Sequence, residues 1–413
     1  MSSNHEVQVG IDIGTTKVVT CIGAVNQVGD IDIIGIGKSL NQGIRKGVIV
    51  DVEETVSAIS SSLEEAEKMS GFHIDSAVVG ISGPYIESEQ SRGVIAIGRQ
   101  DGEITIEDTD RAIEAAKAIP SKPNRENLHI IPISYIIDGI DITKDPVGMT
   151  GTRLEVLTNI VSCSSNAIKS LNRTLSQAGI TPSDMIFSAI STAAALMTKR
   201  QMEIGSVLVD IGAATTSYAV FENGEVITCG VVPIGSMHIT NDIAIGLRTN
   251  IDLAETIKIK YGCAMSSKVD ESEEIDLSRL DKSETESIKT KYVSEIIEAR
   301  LNELFIMIRD KLSEIETENN LPAGVVLTGG GAKLANLVDL AKETLRLPAS
   351  IGKPVKEMTG LIDKCEDPVY STAIGLMLLN KNKQKSANTF NFKVGEINGV
   401  VDKIRSIFKN FLP

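Results

Sequence analysis

Two stretches of the chain spell one turn twice. Val9-Gly10-Ile11-Asp12-Ile13-Gly14-Thr15-Thr16-Lys17 and Leu208-Val209-Asp210-Ile211-Gly212-Ala213-Ala214-Thr215-Thr216 are each an apolar strand ending in Asp, then Gly and small residues, then a second β-prone run (Val18-Val19-Thr20 and Tyr218-Ala219-Val220). They lie about half the chain apart, a domain-sized spacing. A third glycine turn, Val326-Leu327-Thr328-Gly329-Gly330-Gly331, follows near the end. Tight hairpins containing Gly turn backbone N–H groups inward, where they cradle phosphate oxygens. Thr hydroxyls add donors. Asp12 and Asp210 can hold Mg²⁺ through water, because that ion keeps most of its hydration shell. One such turn alone reads equally well as an ordinary hairpin. Two of them, with the glycine turn in order, predict a nucleotide clamped between two related domains.

At 413 residues the chain exceeds one typical domain. Its formal charge of −14 argues against sequence-independent nucleic-acid binding, which needs a basic face. The five cysteines (Cys21, Cys163, Cys229, Cys263, Cys365) have no CxxC or metal-ligand spacing and read as reduced thiols. No signal peptide and no apolar run long enough to span a bilayer is expected.

Val7 to Ile13, Lys17 to Ala24 and Ile31 to Gly37 read as three consecutive strands, followed by a helix from Asp51 to Met69 stopped at Gly71 and a short strand from Ser76 to Ser82. Residues 85–163 interrupt this α/β pattern. They contain strands near 92–99, 128–138 and 154–163 and a helix from Thr105 through Ile119, a candidate inserted subdomain. Helices are expected near Asn166 to Ala178 and Ala189 to Lys199. The second half opens at Gly205 with its own hairpins, then a helix from Ile239 to Tyr261 and a polar loop or edge over 266–287. A long helix then carries Ile297, Leu301, Leu304, Ile308, Leu312 and Ile315 on one stripe, which is core packing.

From Asn380 the composition turns polar and Lys/Asn-rich. Residues 381–398 read as a flexible linker with an r.m.s. span of about 20–25 Å. Beyond it, Val400, Ile404, Ile407, Phe408 and Phe411 fall on one helix face, with Lys403, Arg405 and Lys409 around them. Three surfaces could receive such a helix: the protein's own body, a partner, or a membrane. The polar tether and the cations favour an anionic lipid surface, and many such helices linked together would bind through avidity.

The order of parts resembles the actin, sugar-kinase and heat-shock-chaperone superfamily, and within it the FtsA cell-division family. The superfamily likeness rests on the two phosphate turns and Thr328-Gly329-Gly330-Gly331-Ala332. The family likeness rests on Gly43-Ile44-Arg45-Lys46-Gly47-Val48-Ile49-Val50-Asp51, on Gly80-Ile81-Ser82-Gly83, and on Asp145-Pro146-Val147-Gly148-Met149-Thr150-Gly151-Thr152-Arg153-Leu154. The resemblance implies an α/β fold of duplicated actin-like (ribonuclease H-like) domains. The first would comprise 1–84 and 164–203 and carry the insert 85–163. The second would comprise 204–380, with 236–318 as its small lobe, and an amphipathic helix would follow at 399–413. It implies a protein that binds ATP with Mg²⁺, polymerises, and tethers the tubulin-like FtsZ to the cytoplasmic face of the plasma membrane at the septum, where later division proteins are recruited.

Carried over residue by residue, the resemblance gives a nucleotide site. Asp12, Gly14, Thr15, Thr16 and Lys17 form the first phosphate turn, and Asp210, Gly212, Ala213, Ala214 and Thr215 the second. Gly329, Gly330 and Gly331 would lie beside the adenosine, and Glu255 and Lys258 on the helix lining ribose and adenine. Arg300 is a candidate contact for the acidic C-terminal peptide of FtsZ. No catalytic residue emerges. The connecting helix Ala189-Ile190-Ser191-Thr192-Ala193-Ala194-Ala195-Leu196 offers Ser191 and Thr192 but no Gln, Glu or Asp to orient a water. At most slow ATP turnover is expected, with nucleotide as a structural switch. The competing readings are a pilus-assembly or rod-shape actin relative, a small-molecule kinase and a chaperone ATPase. The kinase would need a catalytic acid or base and a substrate loop, and the chaperone a following β domain.

Overall fold

The computed structural model describes residues 7–26, 31–118, 122–282, 285–315, 321–354, 359–361 and 366–387. The repeated turns grow into two sheets of one topology. In the first, Val7–Ile13 pairs antiparallel with Lys17–Val25, which pairs antiparallel with Ile31–Leu40. On its other side Val7–Ile13 runs parallel to Ser76–Ile81, and that strand parallel to Thr181–Phe187. The second sheet repeats this with Ser206–Ile211, Thr216–Glu222 and Glu225–Val232 as the antiparallel set, and Val325–Thr328 and Ala349–Ile351 as the parallel pair. The match extends to register. Asp12 stands opposite Val19, and Asp210 opposite Ser217, each one pair from the turn.

Helix boundaries follow their local chemistry. In the helix Val52–Ser70, Asp51 caps the start by accepting from the Glu54 N–H, and Gly71 ends it in the left-handed conformation. Thr105 and Asp108 form a capping box at the start of Ile106–Lys117. That helix packs on a four-stranded sheet of Ile86–Ala96, Arg153–Ser164, Arg125–Ile137 and Asp141–Thr143, with its own small core around Ile104, Ile113, Tyr135 and Val156. The insert sits inside the crossover between Ser76–Ile81 and the helix Ser165–Gln177. It also leans on the second domain. Gln90 Nε2 donates to the Ile227 carbonyl at 3.2 Å, and the Cys229 N–H donates to Ser88 Oγ at 3.4 Å.

Several expectations need correction. Thr181–Phe187 is a strand that Pro182 and Asp184 conceal, and a register shift falls between those two residues. The segment expected as one helix over 239–261 is two, Ser236–Leu247 and Ile251–Tyr261. Arg248 turns left-handed between them, and Asn250 caps the second by accepting from the Leu253 N–H. The expected helix over 189–199 ends at Leu196, and Thr198 starts another with its own capping box. Within 266–287, Glu274–Asp276 pairs with Ser287–Lys289.

The boundary at 380 also moves. Thr359–Gly360 adds to the free edge of the first sheet beside Ile33. The helix Ser371–Ala387 buries Ala373, Ile374, Leu376, Met377, Leu378 and Leu379 in the first domain's core. Close approach makes this possible. A Cβ on Gly10 would lie 2.4 Å from the Ala373 carbonyl oxygen, and one on Gly375 would lie 1.9 Å from that of Ser191. The chain therefore returns to its first domain, and this helix covers the first seven residues assigned to the linker. The rest of the linker, the tail 399–413 with Val400, Ile404, Ile407, Phe408 and Phe411, and Cys365 lie outside the described residues. The other four cysteines are buried and form no disulfide. Among the described residues, no helix is long and apolar enough to cross a membrane.

Candidate functional site

The equivalent ends of the two sheets face each other across a cleft of about 510 Å³, within the usual range of ligand sites. The first hairpin closes with the Gly14 N–H donating to the Lys17 carbonyl at 2.9 Å, the second with the Gly212 N–H donating to the Thr215 carbonyl at 3.0 Å. Asn41 holds the first from outside. Its N–H donates to the Thr16 carbonyl and its Nδ2 to the Gly14 carbonyl. The start of the helix Ser236–Leu247 holds the second, with the Ser236 N–H on the Gly212 carbonyl and the Met237 N–H on the Ala213 carbonyl. The carbonyl sides of both turns are thus engaged by the protein, so a phosphate would meet their amide sides.

The third turn seats against the second. Gly329 has φ +85°, and a Cβ there would lie 2.2 Å from Asp210 Oδ1, so neither the backbone nor the space admits a side chain. Thr328, just before it, pairs in parallel register with Asp210. Lys333 Nζ bonds Asp367 Oδ2 at 2.7 Å on the same side of the cleft.

Three charges share the floor. Asp12 sits deep among protein atoms. Desolvation, and then the neighbouring Asp210 carboxylate, push it up to about 7 against the opposing pull of Lys17. Burial also raises Asp210, opposed by Lys17 and by the Thr372 hydroxyl, which donates to its Oδ2 at 3.2 Å. Burial lowers Lys17, opposed by Asp12, Asp210 and Asp367. Two desolvated carboxylates beside one cation leave negative charge under-compensated. That donor set fits a hydrated divalent ion brought with phosphates, since Mg²⁺ is typically held by one or two carboxylates and keeps several waters. Among the described residues, no cluster of three or more His, Cys, Asp or Glu forms a self-sufficient metal cage.

On the second domain's side, Lys258 is folded inward. Its Nζ donates to Glu255 Oε2 at 2.6 Å, to Thr240 Oγ1 at 2.8 Å and to the Ser236 carbonyl at 3.2 Å. Both Glu255 and Lys258 line the cleft, as do Asp12, Gly14, Thr15, Thr16, Lys17, Asp210, Gly212, Ala213, Thr215, Gly329, Gly330 and Gly331. Ala214, expected with them, is buried and is not part of the wall. Residues missed from the sequence include Thr372, Ser82, Ser217 and Tyr85. Thr372 comes from a helix not foreseen, Ser217 and Tyr85 carry no motif, and Ser82 lies in the stretch Gly80-Ile81-Ser82-Gly83, which carries the family resemblance without pointing to the cleft.

Ser191 and Thr192 are fully buried and both donate to the Ser188 carbonyl, so neither is positioned to orient a water in the cleft. Arg300 grips Asp242 with two parallel bonds, Nε to Oδ2 at 2.6 Å and Nη2 to Oδ1 at 2.9 Å, and its Nη1 bonds Glu303. It clamps the helix Thr290–Ser313 to the helix Ser236–Leu247.

A family model described as "Cell division protein FtsA" matches residues 207–375, and one described as "SHS2 domain inserted in FTSA" matches residues 83–162. Cell division protein FtsA of Pseudomonas aeruginosa is 36% identical over 376 residues, 91% of this chain and 89% of that protein. The Borreliella burgdorferi protein is 36% identical over 97% of each chain.

The chain belongs to the FtsA family.

It is an actin-like cell division protein, with the family's SHS2 insert matched over residues 83–162. Solved structures share the fold at low identity. A chain of the PilM-PilN type IV pilus biogenesis complex superposes with a TM-score of 0.65 at 16% identity, covering 90% of this chain and 98% of that one. MreB5 of Spiroplasma citri, bound to ADP, gives 0.56 at 13%, covering 93% and 99%. The pilus-assembly and rod-shape readings thus share the architecture, while the family match belongs to division.

Proposed function

We propose that the cleft binds ATP with Mg²⁺, that the nucleotide-bound chain polymerises, and that the polymer tethers FtsZ to the cytoplasmic face of the plasma membrane at the septum and recruits later division proteins. One observation carries the nucleotide reading. Asp12 and Lys17, from the two strands of the first hairpin, and Asp210, from the matching strand of the second, meet at the floor of a cleft bounded by both hairpins. The hairpin amides and Lys17 would hold the phosphates. Asp12 and Asp210 would accept from waters of the metal ion, which would neutralise phosphate charge. Gly329 to Gly331, Glu255 and Lys258 would flank the nucleoside. Ser191 and Thr192 of the connecting helix are bonded to the Ser188 carbonyl and do not line the cleft, which supports a switch over an enzyme. Nucleotide then acts by holding the two domains in one relative position, the shape a neighbouring subunit would recognise.

The small lobe around Arg300 is the proposed FtsZ contact, and the apolar face of 399–413 the proposed lipid contact. The test is flotation with anionic vesicles and an FtsZ C-terminal peptide, using the full chain and a chain truncated before Gly399. The full chain should carry the peptide to the vesicles, and the truncated chain should bind peptide but stay in solution. Truncated protein that still floats, or full-length protein that ignores the peptide at tens of micromolar, would overturn the tether.

A further inference from the structure

One polar contact joins the two domains across the cleft and has no part in the site so far described. Ser82 Oγ lies 2.8 Å from Ser217 Oγ. Both residues line the cleft. Ser217 stands directly opposite Asp210 in the second hairpin. Ser82 comes two residues after Gly80, where a Cβ would lie 3.6 Å from Asp12 Oδ1. Ser82 follows directly on the strand Ser76–Ile81, and the hydroxyl pair lines the same cleft as the carboxylate pair Asp12 and Asp210.

The pair is held in place on both sides. The Tyr85 hydroxyl donates to the Ser82 carbonyl at 2.8 Å. Gly47, from the first domain's loop, comes close to Thr215 of the second hairpin and to Pro84.

We propose that Ser82 and Ser217 form a latch that reads the terminal phosphoryl group of a bound nucleoside triphosphate. This rests on the nucleotide reading above. In the closed pair only one hydroxyl can donate to the other, so one proton is left without a role. A terminal phosphoryl group presents several anionic oxygens and accepts from both. The exchange replaces one neutral hydrogen bond with two charge-assisted ones, which are shorter and stronger. A diphosphate lacks that group and leaves the Ser82–Ser217 bond intact. The latch would therefore favour triphosphate over diphosphate and would link opposite domains through the anion only in the triphosphate state.

The experiment measures dissociation constants of Mg·ATP and Mg·ADP for the full chain and for Ser82→Ala, Ser217→Ala and the double variant. Ser82→Thr is the control that keeps a hydroxyl. Affinity for ATP should fall by about ten-fold per hydroxyl lost, the scale of a hydrogen bond to a charged group. Affinity for ADP should hold, and Ser82→Thr should restore the preference for ATP. Unchanged discrimination in the double variant, or equal losses for ATP and ADP, overturns the latch while leaving the site standing. Wild-type protein that binds neither nucleotide overturns both.

Discussion

Replacing Asp12 with Asn tests the electrostatics of the cleft floor without changing its shape. The Asp12 carboxyl is raised from 3.8 to about 7, first by desolvation and then by Asp210. Its pKa is higher folded than unfolded, so the folded state binds the extra proton between those values. Stability from this group is therefore fully present below the unfolded pKa and is lost as pH rises toward 7. A shift of about three units corresponds to a ceiling of about 4 kcal/mol above pH 7, which solvent reaching the cleft would reduce.

Asp12→Asn has no such proton to lose. Its advantage over wild type without nucleotide should widen by roughly 2–3 kcal/mol between pH 5 and pH 8, the span over which the wild-type proton is released. His129 is buried and lowered to about 4, so it titrates equally in both proteins and cancels in the difference. The assay is denaturant unfolding of both proteins, without nucleotide, at pH 5, 6, 7 and 8. A gap that stays constant across that range would refute the claim that Asp12 carries an under-compensated charge.

Other outcomes follow from the same packing and charge arguments. Gly375→Ala drives a methyl to 1.9 Å from the Ser191 carbonyl oxygen. It should cost about 2–3 kcal/mol or more, read as a lowered unfolding midpoint. Arg300→Glu places a third carboxylate beside Asp242 and Glu303; FtsZ-peptide binding measured by fluorescence anisotropy should drop about ten-fold, with Mg·ATP affinity unchanged. Phe408→Asp should abolish vesicle flotation, because burying one Phe is worth about 2–3 kcal/mol and a buried charge adds a desolvation cost. Steady-state ATP hydrolysis should fall well below the roughly 1–100 per second of kinases, since Ser191 and Thr192 are buried and bonded to Ser188.

The duplicated hairpins were legible because turn geometry allows few residue types, and an Asp, a Gly and small residues recur at matching places in both. The insert was legible because strand alternation and a capping box break the surrounding pattern. The return of the chain to its first domain was not. Ser371–Ala387 has polar residues in its second half, so composition suggested a linker, while its buried stretch Ala373 to Leu379 is apolar all round and gives no facing signal. Thr181–Phe187 was missed for a similar reason: Pro182 and Asp184 lower its β propensity, and pairing with Ser76–Ile81 overrides that. At the site, glycines and carboxylates announced themselves by pattern. Ser217 and Thr372 reach the cleft by tertiary placement, which no local window contains, and the stretch Gly80-Ile81-Ser82-Gly83 stands out in the sequence without showing that Ser82 faces the cleft.

The central claim is that the two halves clamp a metal-bound nucleotide between Asp12 and Asp210. Calorimetric titration of the full chain with ATP, with and without Mg²⁺, and of the Asp12→Asn/Asp210→Asn double variant, tests it most directly. Wild type should show a single saturable site that Mg²⁺ tightens, and the double variant a site that Mg²⁺ no longer tightens. No heat of binding in wild type, or binding indifferent both to Mg²⁺ and to the loss of the two carboxylates, would contradict it.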